Sequence, residues 1–316
     1  MSMARKMPHD TLASCSTAAA QPIAVGVMAY NEEDNIGHLL ESLVHQSIAP
    51  RITSIVVMAS GCTDRTCEIV AEWAKREPRI RLVAEAERNG KVAAINRFIK
   101  LASEPLCIIT SADLAFHPKA VDRITEPFAD PFVGVVGAHV VPVKTPDNFV
   151  GFTVNLMWSL HHDISLDKLK IGELCAFRNV IPALDPKTLN DEMSILYEIE
   201  KRGYRAAYAP DALIENCGPG NLRDFIKQRT RWIVANLSVE HEYKMSVSTR
   251  KSVAVLRATL AYVRQDWHRI HWFVAAAGVE LWARLRARVE YSALRRHRKF
   301  QVWDRIATTK QIARTK

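Results

Sequence analysis

Residues 22–46 read PIAVGVMAYNEEDNIGHLLESLVHQ, and this stretch decides the fold class. Ile23 to Met28 is a short apolar run rich in β-branched residues, as expected of a strand buried on both faces. A polar cluster, Tyr30-Asn31-Glu32-Glu33-Asp34-Asn35, follows at once. From Glu33 to Gln46 the spacing becomes helical, with Ile36, Leu39, Leu40, Leu43 and Val44 on one stripe. The same succession then recurs. Strands are predicted at Ile52–Met58, Arg79–Ala84 and Leu106–Thr110, and helices at Thr66–Arg76 and Lys91–Ser103. This alternation predicts an α/β domain whose mostly parallel sheet is covered by helices on both faces. Ligands of such sheets bind beyond the carboxyl ends of the strands.

Further along, Gly134–Val143 reads as a strand, while 148–162 is aromatic and mixed, without a clear period. A helix is predicted over Asp191–Gly203, a strand over Tyr204–Tyr208 and a helix over Leu222–His241. Beyond Tyr243 the pattern becomes basic and amphipathic. The expected organisation is therefore a disordered tail over 1–21, a catalytic domain over 22–243 and a basic helical extension over 244–316.

Several function classes are excluded by composition and charge. The 316 residues carry 43 basic and 34 acidic side chains, a net of +9. Residues 241–316 alone hold 17 basic against 5 acidic, so the surplus belongs to the C-terminal quarter. No nucleic-acid recognition motif accompanies that charge, so nucleic acid is not the expected partner. Arg250, Arg257 and Arg264 recur on one helical face beside Val253, Leu256, Leu260 and Val263. Trp267, Trp272, Phe273, Leu281 and Trp282 precede Arg284, Arg286, Arg288, Arg295, Arg296, Arg298 and Lys299. Aromatic residues with flanking arginines suit a helix lying in an anionic headgroup layer; packing on the catalytic domain is the alternative. No run of about 20 apolar residues exists that could span a bilayer. Six cysteines without a C-x-x-C pair exclude a zinc ribbon and read as reduced, mostly buried thiols. The expected location is cytoplasmic, at the inner face of the membrane.

Polar clusters lie where the strands end. Tyr30–Asn35 and Ala59–Thr66 (ASGCTDRT) each open a helix, and serve either as caps or as contacts to a nucleotide. Arg88-Asn89-Gly90-Lys91 sets two cations around a helix start, which suits a diphosphate. Ser111-Ala112-Asp113 offers one carboxylate to a divalent metal whose other ligands would be diphosphate oxygens and water. Asn190-Asp191-Glu192 places adjacent acids at a helix start, where repulsion raises one pKa toward that of a general base. Gln228-Arg229-Thr230-Arg231-Trp232 sets an aromatic ring beside arginines on a helix.

In this order and spacing, the clusters resemble a family 2 glycosyltransferase of the GT-A fold over roughly residues 22–240. The Gln-x-x-Arg-Trp element is similar to that of polysaccharide synthases and lipid-linked members. The resemblance implies an inverting transfer from a UDP- or GDP-sugar to a hydroxyl on a lipid or glycan. It implies a donor held by Tyr30, Glu32, Asp64, Arg88, Lys91, Ser111, Gln228, Arg231 and Trp232, and Mg²⁺ or Mn²⁺ on Asp113. Either Asp191 or Glu192 would be the base. Ser111 stands where the family usually has the first Asp of Asp-x-Asp. That departure leaves open a catalytically impaired domain acting as a sugar-nucleotide-binding or membrane scaffold. A sugar-1-phosphate nucleotidyltransferase shares the sheet type, but its first turn is usually Gly-rich and basic, whereas this one is acidic.

Overall fold

The computed structural model describes residues 21–167, 169–243 and 252–297. The expected tail apart from Gln21, and Arg250, Arg298 and Lys299, lie outside them. Strand β1 (Ile23–Ala29) is buried along its whole length, as its apolar run requires. It lies between two parallel partners, β2 (Ile52–Ser60) and β4 (Leu106–Ser111), and β3 (Ile80–Glu85) adds to the outside of β2. Gly26 is where the sheet receives a ring: a Cβ there would sit 2.6 Å from Phe98.

The eight strands run β3-β2-β1-β4-β7-β6-β8-β5, with β5 at Leu114–Phe116, β6 at Val133–Val143, β7 at Leu174–Arg178 and β8 at Arg205–Cys217. β7 is antiparallel to both neighbours, and β6 pairs with β8 in parallel. Only Ala112 and Asp113 separate β4 from β5, yet β5 closes the far end of the order by pairing with β8. Three peptide steps reach at most about 11 Å, so the sheet must curl its last strand back beside β4.

Helices cover both faces. α1 (Ile36–Val44), α2 (Thr66–Arg76), α4 (Ala120–Thr125) and α5 (Phe149–Asp167) bury Leu39, Leu43, Val70, Ile124 and Val154 in one core. α3 (Lys91–Leu101) and α6 (Asp191–Lys201) bury Ile95, Phe98, Ile195 and Ile199 in the other.

Several expectations are corrected. The aperiodic 148–162 segment is helical from Phe149 on, as the first part of α5. Its period is blurred because α5 packs against β6, β8, α8 (Ser252–Gln265) and α9 (Ile270–His297) and has no single polar side. β8 runs nine residues past Tyr208. Pro210 and Asp211 break the strand signal because they sit in a bulge, between the pairs Ala138↔Ala209 and His139↔Leu213. The short β5 and β7 carry too few residues to show a period.

The C-terminal extension is helical where described. α9 packs on α7 (Leu222–Tyr243) and α5, turning Phe273, Ala276, Ala283 and Ala287 inward. Its opposite side leaves Ile270, Val274, Leu281, Leu285 and Val289 exposed at helical spacing. Among the described residues, no helix is long and apolar enough to cross a membrane.

Candidate active site

Strand register aligns the polar clusters. Ala29 lies level with Ala59, Ser60 with Glu85, and Met28 with Ser111. Tyr30, Gly61, Arg88 and Asp113 therefore follow their strands out of one end of the sheet. The first two loops clasp each other. Asn31, at φ 53°, accepts a hydrogen bond from the Thr63 amide at 2.8 Å. The Asp64 carboxylate accepts from the Glu33 amide at 3.1 Å and the Thr66 amide at 3.0 Å. Glu32 is buried and accepts from Asn35 Nδ2 at 3.0 Å. Glu32 and Asp64 thus shape the loops. The third loop is pressed against the second at Gly61, whose φ of +64° and 2.7 Å Cβ distance from the Arg88 amide nitrogen leave room only for glycine. The Arg88 guanidinium stacks 3.8 Å from the Tyr30 ring centre, forming a flat, cationic wall.

The acidic pair sits on α6. Asn190 caps this helix by accepting from the Met193 amide at 3.0 Å, which sets Asp191 and Glu192 in its first turn. Lys91, the first residue of α3 after Gly90 (φ 88°), reaches across to both acids. Its Nζ lies 2.8 Å from Asp191 and 2.9 Å from Glu192. Burial lifts the Glu192 carboxyl to about 7; the charge of Asp191 adds to the rise and Lys91 opposes it. Burial also works against the Lys91 charge, but Asp191 and then Glu192 hold its pKa well above the usual value. A carboxyl near 7 is suited to accepting a proton at neutral pH.

Asp113 occupies the two-residue link between β4 and β5. Among the described residues, no group of three or more His, Cys, Asp or Glu could enclose a metal. A single carboxylate does fit a hard cation that takes its remaining oxygens from a diphosphate and water. Ser111, at the end of β4, could add at most a hydroxyl.

α7 brings the last cluster to the acids. Asn236 accepts from the side-chain amide of Asn190 at 3.0 Å, and Trp232 lies one turn before it on the same face. Gln228 and Trp232 line a cavity of about 50 Å³ with Trp158, His161, Lys170 and Arg229. The Lys170 ammonium rests 3.9 Å from the Trp232 ring centre. Lys170, Arg229 and His161 were not among the residues read from sequence as a group. An isolated lysine in a short connection carries no pattern, and the Gln228–Trp232 cluster that contains Arg229 does not reveal its buried neighbours.

The profile described as "Glycosyltransferase like family 2" matches residues 20–235. A poly-beta-1,6-N-acetyl-D-glucosamine synthase of Staphylococcus aureus (strain MSSA476) is 24% identical over a 216-residue alignment that covers 64% of this chain and 52% of that protein. An N-acetylglucosaminyltransferase of Rhizobium meliloti (strain 1021) is 22% identical over a 232-residue alignment that covers 66% of this chain and 54% of that protein. The chain thus spans about half the length of the curated relatives it matches. The structure of mannosyltransferase PcManGT from Pyrobaculum calidifontis, in complex with GDP-Man and Mn²⁺, superposes with a TM-score of 0.57 at 22% identity, covering 88% of this chain and 76% of that one. Its likeness is one of fold, and the fold is GT-A. With the profile match running from the first strand into α7, the chain belongs to glycosyltransferase-like family 2.

Proposed function

We propose that the chain transfers a sugar from a UDP- or GDP-sugar to an acceptor hydroxyl with inversion at the anomeric carbon. The observation that carries this reading is the contact of Lys91 with Asp191 and Glu192, where one carboxyl is poised near 7. Glu192 takes the proton of the acceptor hydroxyl as its oxygen attacks the anomeric carbon from the face opposite the diphosphate. Asp191 holds Lys91 beside the reaction and keeps Glu192 basic. Tyr30 and Arg88 provide the wall for the nucleotide. Lys91, and Arg231 on α7, offer positive charge to the leaving diphosphate as its charge grows. When bound, a divalent cation held by Asp113 would neutralise part of that charge. The assembled acid pair argues against an impaired scaffold, and the acidic first turn against a nucleotidyltransferase.

The acceptor in this reading is a lipid or a glycan, and the enzyme works on an anionic membrane surface at the cytoplasmic face. The exposed apolar stripe of α9, with the exposed Arg284, Arg286 and Arg288 around it, supports that placement. The test of the reaction is a panel of UDP- and GDP-sugars with Mn²⁺, assayed for nucleoside diphosphate release. Product configuration is read by NMR. No release from any donor, or retained configuration, would overturn the mechanism.

A further inference from the structure

We propose that the space enclosed by α5, α7, α8 and α9 binds a phosphate-bearing lipid, its hydrocarbon between the helices and its phosphate against Lys170 and Arg229. The identification of this lipid as the acceptor rests on the transfer reaction proposed above; the binding site itself does not.

The cavity is about 240 Å³ and is walled by Leu156, Leu160 and Ile164 of α5, Val255 of α8 and Phe273 of α9. It shares Met157, His161, Lys170, Phe225 and Arg229 with the smaller cavity under Trp232 and Gln228, so the two adjoin. An apolar chamber of this kind needs no charge, yet cations gather at its inner end. Lys170 is 6% exposed and makes no ion pair among the described residues; its ammonium rests on the Trp232 ring. Arg229 is inside too, and its Nη1 has no hydrogen-bond partner. The buried His161 Nε2 also has none. Glu280 divides its carboxylate between Arg229, at 2.6 and 2.8 Å, and Arg284, at 2.6 Å. Lys170, Arg229 and Arg284 therefore share one acid in the larger cavity, and Glu173 lines the smaller one. Burial and then Arg229 push the Lys170 ammonium well below its usual range, and burial and then Lys170 do the same to His161. A buried cation without a partner is costly. A phosphate anion would supply the missing acceptors as well as the missing charge.

Position ties this cluster to the reaction. β7 begins at Leu174, level with Thr110 of β4, so the Lys170–Glu173 connection lies at the Asp113 end of the sheet. From the cavity, the α7 face runs through Gln228 and Trp232 to Asn236, which bonds the cap of the acidic helix. On the outer side, Leu256 and Leu260 of α8 and Val274 of α9 are exposed beside the lining residues Val255, Thr259 and Phe273. A lipid could enter from a bilayer lying on that side and place its head toward Trp232.

The test is calorimetric titration of the full chain with dodecyl phosphate below its micelle concentration. Saturable binding is expected, at least tenfold tighter than that of dodecyl maltoside, which has the same chain on an uncharged sugar head, or of inorganic phosphate, which has the head alone. Lys170→Met and Arg229→Gln should each weaken it at least tenfold. Lys170→Met should stay folded, since it replaces a buried ammonium by an apolar side chain of similar length, and its melting temperature checks this. Ala277→Trp, at an exposed position on the cavity wall, should block the chain without touching the charges. Equal binding of the maltoside, unchanged affinity in both charge variants, or displacement by UDP would each overturn the site. UDP binding measured separately keeps the two readings distinguishable: if the wild type binds dodecyl phosphate but no nucleotide, the transfer reaction fails and the lipid site stands.

Discussion

At the scale of single residues, the acidic pair makes the sharpest demands. Glu192→Gln should lower turnover by about 10²–10⁴, the usual effect of removing a general base, and Asp191→Asn should cost distinctly less. In the wild type, turnover should rise with pH through about 7 as Glu192 ionises. That limb should vanish from the residual activity of Glu192→Gln, and a pH–rate profile of both proteins decides the point. The same proton affects stability. The folded chain holds it more tightly than the unfolded chain, whose carboxyl titrates near 4.5. Unfolding free energy should therefore fall as pH rises from about 4.5 to about 7, and Glu192→Gln should remove that slope. Asp113→Asn should abolish the Mn²⁺ dependence of nucleotide binding while leaving the melting temperature nearly unchanged, as a thermal shift series with and without chelator would show. The sequence made these acids legible because adjacent carboxylates at a helix start are a local pattern. It could not show that Lys91, a hundred residues earlier, reaches them, because only the packing of α3 beside α6 makes that contact.

At the scale of elements, the loops after β1, β2 and β3 act as one piece. Gly61→Ala would force a side chain into the left-handed region and against the Arg88 backbone. A loss of about 1–3 kcal/mol is expected from denaturant unfolding, with weaker nucleotide binding because Arg88 and Tyr30 are displaced together. The alternation that predicted β1 to β4 was legible because β1, β2 and β4 carry continuous apolar runs, while the edge strand β3 still keeps Ile80, Leu82 and Val83 between polar residues. The second half of the domain was harder to read for identifiable reasons. β8 hides behind a bulge containing Pro210, β5 is three residues long, and α5 is enclosed by neighbours and shows no polar side. The cluster of Lys170, Arg229 and His161 stayed invisible for a related reason: its members lie on three separate elements and meet only in the folded chain.

At the scale of the molecule, the apolar side of α9 sets the expected behaviour on membranes. The full chain should co-sediment with phosphatidylglycerol vesicles at low salt and less so at high salt, since each basic residue near such a surface contributes about 1 kcal/mol and is screened by ions. Val274→Glu with Leu281→Glu should abolish sedimentation and leave the melting temperature in place, because both side chains are exposed. The curl of the sheet has a further consequence, for synthesis. Asp113 is joined directly to β5, and among the described residues β5 gains its pairing only from Ile214, Glu215 and Asn216. The carboxylate proposed to hold the cation is therefore anchored on one side by residues that leave the ribosome about a hundred positions after it. A nascent chain arrested before β8 would already carry every donor-side loop, but would not hold Asp113 in place.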